Sequence, residues 1–384
     1  MIPLSVPSLK GNEWKYVKEC LDTEWVSTAG KYVNLFEEKV KEFTKSEFAI
    51  ACVNGTEAIH ISLLLCGVEA GDEVIVPTLT FIAPINAVKY ANAEPVFMDS
   101  DEFYNIDAAK TIEFIKTETT FKNGFTYNNK SGKRITAIIP VHIFGNAVML
   151  DALIPLCKER NIAVIEDATE SLGTIYTEGN YKGKFTGTIG DTGCFSFNGN
   201  KIITTGGGGM IVTNDAGKAE KAKYLTTQAK DDEVRYVHHE IGYNYRLPNV
   251  LAAIGVAQME VLPDYIVTKK KNFAKYSEEI NNIEGLKINP APEYADSNLW
   301  MYAMRIDKDI YGMDREQVMA MLSQNGIQSR PVWYLNHEQK PYKNNFSYKI
   351  ENAYKLLEET LNIPCSVNLT DEQIDTVINV LKNK

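Results

Sequence analysis

Seven short apolar runs, rich in valine, isoleucine and phenylalanine, alternate with longer amphipathic segments between residues 48 and 213. Each run is almost continuously apolar, which is typical of strands that are buried on both faces of a parallel sheet. The segments between the runs have helical periodicity, as in residues 56–66, 83–90 and 150–160. This alternation predicts a doubly wound α/β fold with a mostly parallel seven-stranded sheet between helices. The predicted strands are residues 48–52, 73–76, 95–98, 135–141, 163–166, 194–197 and 210–213.

The character of the sequence changes after Pro263. A helix predicted over residues 247–262 is rich in alanine and leucine, and Pro248 suits its first turn. Beyond it, charged helical segments flank two β-like runs, a pattern that predicts a smaller α+β domain. We therefore expect a large domain over residues 1–262 and a small domain over residues 263–384. The helical segments are residues 268–283, 314–325, 350–361 and 371–382, and the β-like runs are residues 301–306 and 327–332.

Composition and charge argue against several classes of protein. The chain has 384 residues, 23% of them charged, and a formal net charge of −10, which argues against nucleic acid as the main partner. Its six cysteines are scattered without a Cys-x-x-Cys pair, so we expect neither a disulfide framework nor a zinc site. Residues 1–4 lack the features of a signal peptide, and we expect no apolar run long enough to span a bilayer. These features predict a cytoplasmic protein.

Lys201 is the first candidate for chemistry. It follows the apolar run that ends at Phe197, and the glycine run 206–209 comes shortly after it. A buried lysine amine can lose its proton and attack a carbonyl carbon. Since most lysines are solvated surface charges, the position of Lys201 decides nothing without other groups nearby.

Three other features fall at the ends of predicted strands, where parallel α/β sheets bind ligands. Gly55 and Thr56 open a helix after the first strand, so free N–H groups there could bind a phosphate; a plain turn capped by Asn54 or Thr56 is the alternative. Asp167 ends a strand and could hold a protonated ring nitrogen, or it could cap the next helix. Alternation along the strand sends the neighbouring Glu166 side chain the opposite way.

An aromatic ring and a hydroxyl complete the set. Phe81, after the strand at 73–76, could stack on a flat cofactor ring, although a core phenylalanine is the more common case. Ser196, near Lys201, could bind the same phosphate as Gly55. A phosphate cradle, an acid, a stacking ring and a nucleophilic amine are together the parts that pyridoxal phosphate needs.

At these residues the chain resembles the sugar aminotransferases of the DegT/DnrJ/EryC1/StrS family. The resemblance implies the fold-type I architecture of pyridoxal-phosphate-dependent enzymes. Within the family the chain looks most like enzymes that aminate C4 of a nucleotide-linked, UDP-type 4-keto-6-deoxy-N-acetylhexosamine in bacillosamine and legionaminic acid pathways, with L-glutamate as donor. The motifs that carry the resemblance are Asn54-Gly55-Thr56, Thr80-Phe81-Ile82-Ala83, Ile165-Glu166-Asp167-Ala168, Ser196-Phe197-Asn198-Gly199-Asn200-Lys201, Gly242-Tyr243-Asn244-Tyr245-Arg246 and Arg330-Pro331-Val332-Trp333-Tyr334.

The resemblance also implies a role for each site residue. Lys201 would bond covalently to the cofactor, Asp167 would pair with its ring nitrogen, and Phe81 would stack on its ring. Glu170 would lie near the phenolic oxygen, where the family often has glutamine or histidine. The phosphate would be held by Gly55, Thr56 and Ser196, with Asn244 reaching it from the neighbouring subunit of a homodimer, and Trp333, Tyr334 and His337 would lie near the sugar nucleotide.

Several alternatives remain open. Another keto sugar, as in perosamine or 3-amino sugar synthesis, would need the same machinery. An amino-acid aminotransferase or lyase of the same fold, or a non-catalytic regulator built on it, is also conceivable. A nicotinamide dehydrogenase is disfavoured because no Gly-x-Gly-x-x-Gly opens a helix after the first strand. Some family members have histidine in place of the lysine and act as dehydratases, so Lys201 favours transamination.

Overall fold

The computed structural model describes residues 1–232 and 234–384. The α-helices are α1 (Glu13–Asp22), α2 (Lys31–Thr44), α3 (Gly55–Leu65), α4 (Ala83–Tyr90), α5 (Ala108–Thr117), α6 (Leu153–Glu159), α7 (Ala216–Thr226), α8 (Asn249–Ile280), α9 (Lys308–Tyr311), α10 (Arg315–Gln324), α11 (Asn352–Glu359) and α12 (Asp371–Lys382). The strands are β1 (Phe48–Cys52), β2 (Glu73–Pro77), β3 (Glu94–Met98), β4 (Thr119–Lys122), β5 (Phe125–Asn128), β6 (Arg134–Ile138), β7 (Ala163–Asp167), β8 (Ile175–Tyr176), β9 (Thr192–Ser196), β10 (Gly209–Thr213), β11 (Leu286–Ile288), β12 (Ala295–Asp296), β13 (Tyr302–Ile306), β14 (Arg330–Pro331), β15 (Ser347–Tyr348) and β16 (Thr360–Ile363).

The main sheet has the strand order β1-β10-β9-β7-β6-β2-β3-β15, and the β4–β5 hairpin is attached to β6. Its first seven strands in that order are the seven predicted ones. Neighbours from β9 to β3 pair in parallel, whereas β10 is antiparallel to both β1 and β9. All residues of β2 and of β10 are buried, so both faces of the sheet are covered there. The predicted α/β fold is confirmed.

One predicted strand is too long. The run at 135–141 was expected to be continuous, but β6 ends at Ile138. Pro140 lies in the predicted run and has no N–H to donate to a neighbouring strand. The regular strand therefore ends before the proline, although the carbonyl of Pro140 still accepts a hydrogen bond from the backbone N–H of Asp167 at 2.9 Å.

Helix α8 continues through the position where the sequence predicts a break. Proline inside a helix removes one backbone hydrogen bond and crowds the preceding turn, yet the helix passes Pro263 and reaches Ile280. Buried contacts on both sides of the proline, from Leu262 and Tyr265, hold the helix in place. Tertiary packing therefore outweighs the local preference of proline.

The sequence predicts no apolar segment long enough to span a bilayer, and helix α8 differs from that expectation. By these two measures alone, α8 contains a window long and apolar enough to cross a membrane. Half of that window is buried inside the protein, and the core helix of a folded protein passes the same test.

The C-terminal part has an antiparallel sheet of its own, in the order β11-β13-β16-β14. Its hydrophobic cluster includes Tyr276 from α8 and also Ile2, whose backbone bonds to that of Gly326. The predicted run at 327–332 forms only the two-residue strand β14. The domain division between residues 262 and 263 stays a prediction.

Candidate active site

A cavity of about 500 Å³ opens where β7 and β9 end in the main sheet. The two strands are parallel neighbours, with Asp167 paired to Cys194, so their carboxyl ends lie at one edge. Eight of the predicted site residues line this single cavity: Gly55, Thr56, Phe81, Asp167, Glu170, Ser196, Lys201 and Trp333.

The turn from β1 into α3 forms one wall of the cavity. Asn54 caps the helix, its side chain accepting a hydrogen bond from the backbone N–H of Glu57 at 2.9 Å. A Cβ atom at Gly55 would lie 2.9 Å from Ser196 Cβ and from Thr169 Cγ2, so only glycine lets these three loops meet. The first N–H groups of α3, at Gly55 and Thr56, have no intrahelical acceptor and remain available for an anion. The geometry of this turn therefore agrees with a helix cap at Asn54 and also with a phosphate bound by the free N–H groups.

Asp167 is the buried acid of the cavity. Its side chain accepts a hydrogen bond from the backbone N–H of Thr169 at 3.1 Å, and only 2% of the residue surface is exposed. Burial raises the pKa of Asp167, while the nearby Lys201 charge opposes that rise. A buried carboxylate is costly unless a positive group meets it, and a protonated ring nitrogen would be such a group.

Glu166 lies on the other side of the strand, as alternation predicts. Its carboxylate accepts hydrogen bonds from the backbone N–H groups of Gly187 and Gly190 and lies 3.0 Å from His142 Nε2. These partners hold Glu166 within the protein interior, so Asp167 is the carboxylate of the pair that faces the cavity.

Lys201 Nζ lies between a carboxyl group and an indole ring. It is 3.7 Å from Glu170 Oε1 and 4.3 Å from the centre of the Trp300 ring. Glu170 Oε2 accepts a hydrogen bond from the backbone N–H of Phe144 at 2.8 Å. Burial raises the pKa of Glu170 to about 7, against the opposing effect of Lys201. The amine therefore lies beside a carboxyl group that can exchange a proton with it and an indole ring whose face can balance a positive charge.

Aromatic side chains line the cavity and the space beside it. Phe81 is 53% exposed, and its ring centre lies 6.5 Å from that of Trp333. Trp333 in turn stacks on Phe144 at 5.1 Å. Phe144 has a φ of 59°, a left-handed conformation that is uncommon for a bulky residue and is held here by its bond to Glu170. Phe81 is therefore free to contact a ligand rather than part of the core.

Three predicted residues are not among those that line the cavity. His337 Nδ1 lies 2.6 Å from Thr78 Oγ1, and its Nε2 lies 3.0 Å from the hydroxyl of Tyr354. Tyr334 is 53% exposed. Asn244 is exposed on a segment that bridges to Thr227, so its predicted contact with a phosphate stays a prediction.

Sequence reasoning missed Trp300, Phe144 and Thr169, which surround Lys201, Glu170 and Asp167. Trp300 is about a hundred positions from Lys201 along the chain, and no local pattern links the two. Phe144 reaches Glu170 through its backbone, which no side-chain pattern reveals. Thr169 was within reach of prediction, because it lies two residues after the strand end that the sequence does identify.

The residues present fit pyridoxal phosphate, the cofactor that the resemblance implies. The cavity combines a glycine position that a Cβ atom would fill, a buried carboxylate that accepts a hydrogen bond from the Thr169 backbone, and a lysine amine. Gly55, Thr56 and Ser196 would hold the phosphate, Asp167 the ring nitrogen, and Lys201 the aldehyde carbon.

Comparison with known proteins agrees with this chemistry. The chain matches the model of the DegT/DnrJ/EryC1/StrS aminotransferase family over residues 7–382. It is similar to the GDP-perosamine synthase of Caulobacter vibrioides, with 37% identity over 99% of this chain and 97% of that protein.

Solved structures share the fold. A DegT DnrJ EryC1 StrS aminotransferase from Brucella abortus has 26% sequence identity and a TM-score of 0.85, with 97% of this chain and 94% of that chain covered. An Escherichia coli GDP-4-keto-6-deoxy-D-mannose-3-dehydratase with bound hydrated pyridoxal phosphate has 24% identity, a TM-score of 0.86, and 99% of both chains covered. The second likeness concerns the fold alone.

Proposed function

Because this chain belongs to the DegT/DnrJ/EryC1/StrS aminotransferase family, we propose that it moves the amino group of L-glutamate to C4 of a nucleotide-linked 4-keto-6-deoxy sugar. Family membership makes the protein a pyridoxal-phosphate-dependent sugar aminotransferase with the fold-type I architecture. The donor, the acceptor and the aminated carbon are what the proposal adds.

One observation carries the proposal. Lys201 and Asp167, which come from different segments of the chain, line one cavity together with Gly55 and Ser196. An amine, a buried acid and an anion cradle in a single space are what amino transfer requires of a protein. A binding protein or regulator would have no need of the amine in this cavity.

The chain's own residues would then divide the chemistry. When bound, pyridoxal phosphate supplies an aldehyde that bonds to amines and a protonated ring that takes up electrons from a carbanion. The Asp167 carboxylate would keep a proton on the ring nitrogen by a charge-assisted hydrogen bond. Lys201 Nζ would take the proton from the donor Cα atom and then, as an acid, deliver it to the carbon of the cofactor's aldehyde group. Because the keto acid formed from the donor leaves before the keto sugar enters, we expect ping-pong kinetics.

Two acceptors are supported by different observations. The motifs around Lys201 and the segment 243–260 resemble enzymes acting on a UDP-linked 4-keto-6-deoxy-N-acetylhexosamine. The name of the Caulobacter relative favours a GDP-linked sugar. The purified protein should be mixed with glutamate and with UDP-linked and GDP-linked keto sugars. Mass spectrometry then shows which sugar has been aminated. Amination of keto acids alone would instead identify an amino-acid aminotransferase.

We also propose a homodimer with shared sites in the cytoplasm. Asn244 is exposed and is not among the residues that line the cavity of its own chain, whereas the family motif assigns it to the phosphate. The observed position of Asn244 and the contact that the resemblance implies are compatible when the residue acts in the neighbouring subunit.

Replacing Lys201 tests the proposal directly. Lys201→Ala removes the amine, so the variant should bind the cofactor without a covalent bond and show no amino transfer. Borohydride should then fail to fix the cofactor to the protein, as mass spectrometry of peptides would reveal. The exposed Lys271→Ala is the matched control and should behave as the wild type. Normal turnover by Lys201→Ala would rule out the assignment.

A further inference from the structure

We propose that Trp300, fixed in place by the buried Lys269, is a positioning residue for the Lys201 amine. The proposal rests on the role proposed above for Lys201. It concerns how the C-terminal part of the chain, which supplies Trp300, takes part in a site built mainly by the main sheet.

Trp300 is fixed through its backbone and its indole nitrogen. Its backbone N–H donates to Asn298 Oδ1 at 3.0 Å, and its carbonyl accepts from Lys269 Nζ at 2.6 Å. The indole N–H donates to the carbonyl of Asn200 at 2.7 Å, directly before Lys201 in the chain. Only 3% of the residue is exposed. The indole face is therefore held beside the lysine by bonds that leave it little freedom.

Lys269 is an unusual residue for a protein interior. It is 3% exposed, and its ammonium group donates to two carbonyls, those of Trp300 and Cys365, each at 2.6 Å. It also lies 4.7 Å from the centre of the Tyr302 ring. In the described ranges 1–232 and 234–384, no carboxylate forms an ion pair with it. Burial of a lysine is costly unless its N–H groups are hydrogen-bonded, so the bonds to the two carbonyls hold Lys269 and Trp300 together.

The geometry gives Trp300 a definite effect on Lys201. The face of an indole ring attracts a cation within about 6 Å of its centre, and Lys201 Nζ lies at 4.3 Å. This contact holds the amine beside the ring face whenever the amine carries a positive charge. After Lys201 has accepted a proton and before it delivers that proton, its amine is positively charged. The contact with the Trp300 ring stabilises the amine in this state.

The cofactor-bound enzyme offers a readout that a merely structural residue would not change. We expect Trp300→Leu to lower the pH midpoint of the visible cofactor band by at least about half a unit, because the cationic form loses its partner. The kcat should fall roughly 3- to 30-fold, with a smaller change in the KM for glutamate. Trp300→Phe keeps an aromatic face and should stay closer to the wild-type midpoint.

Lys269→Met tests the support of Trp300, and the exposed Lys271→Met is its matched control. Lys269→Met should shift the midpoint in the same direction as Trp300→Leu but by less, and Lys271→Met should shift nothing. A wild-type midpoint in Trp300→Leu overturns the proposal. If that variant does not fold, a wild-type midpoint in Lys269→Met overturns it instead.

Borohydride trapping separates the two possible failures. Peptide mapping of the reduced wild-type enzyme should find the cofactor on Lys201. A label on another lysine contradicts the proposed function itself. A label on Lys201 together with unchanged midpoints contradicts only the role of Trp300.

Discussion

Glu170 is a single buried carboxyl group whose protonation ties stability to pH. Burial raises its pKa to about 7 from an ordinary value of 4.5. Between these two pH values the unfolded chain has lost the proton and the folded protein has kept it. The unfolded state thus binds fewer protons, so this group lowers the stability of the fold as the pH rises through the window.

Glu170→Gln cannot ionise and should remove that contribution. We expect the variant to gain stability relative to the wild type between pH 4.5 and pH 7, by up to about 3 kcal/mol. Thermal unfolding of the cofactor-free proteins at the two pH values measures the difference. Glu178→Gln, at an exposed position, should show no such trend. A difference independent of pH would mean that Glu170 is ionised throughout.

At the scale of residues, what the sequence could predict depends on distance along the chain. Asp167, Ser196 and Gly55 are predictable because each lies next to a strand end, and strand ends follow from local apolar runs. Trp300 and Phe144 are not, because their positions near Lys201 and Glu170 depend on how distant segments pack.

Helices α2 and α8 pack closely at a single glycine. A Cβ atom at Gly255 would lie 2.7 Å from the ring of Phe36, which is itself fully buried. We expect Gly255→Ala to lower the free energy of unfolding by about 1–3 kcal/mol, although alanine is the better helix former.

A second helical glycine provides the contrast for that measurement. Gly217 in α7 is exposed, and its nearest neighbour is the Asp215 side chain at 3.3 Å. Gly217→Ala should raise the free energy of unfolding by about 0.5–1 kcal/mol. Denaturant unfolding of both variants gives the comparison. A stabilised Gly255→Ala would show that the two helices can separate without cost.

At the scale of elements, short apolar runs are the reliable signal. The seven predicted strands of the main sheet lie within a few residues of their predicted bounds because burial on both faces leaves an unbroken apolar pattern. The continuous helix α8 was not predicted, since the packing that carries it past Pro263 comes from residues elsewhere in the sequence. Strand β14 was overestimated for a related reason, because pairing partners rather than propensity decide where an edge strand ends.

For the whole molecule, the shared site can be tested by mixing subunits. Lys201→Ala lacks the amine, and Asn244→Ala lacks the proposed contact with the phosphate of the neighbouring subunit. We expect each variant alone to be nearly inactive. In a mixed dimer one of the two sites would contain both intact residues, so activity should return after subunit exchange.

Mixing Lys201→Ala with Asp167→Asn is the matched control. Both residues belong to the cavity of one chain, so neither site of that mixed dimer would be intact. Equal recovery in the two mixtures, or none in the first, would contradict the assignment of Asn244 to a neighbouring subunit. Gel filtration should accompany both assays to establish that subunits exchange.

The long helix α8 fixes the spacing between two residues that hold segments of the active site. Gln258 accepts a hydrogen bond from the backbone N–H of Thr204, just after Lys201, and Lys269 holds Trp300 on the other side. The two residues are eleven positions apart, or about three turns, so they share one face of the helix. Loss of a single residue between them would rotate one by about 100° relative to the other. Length variation among related chains should therefore be confined to loops and spare this stretch.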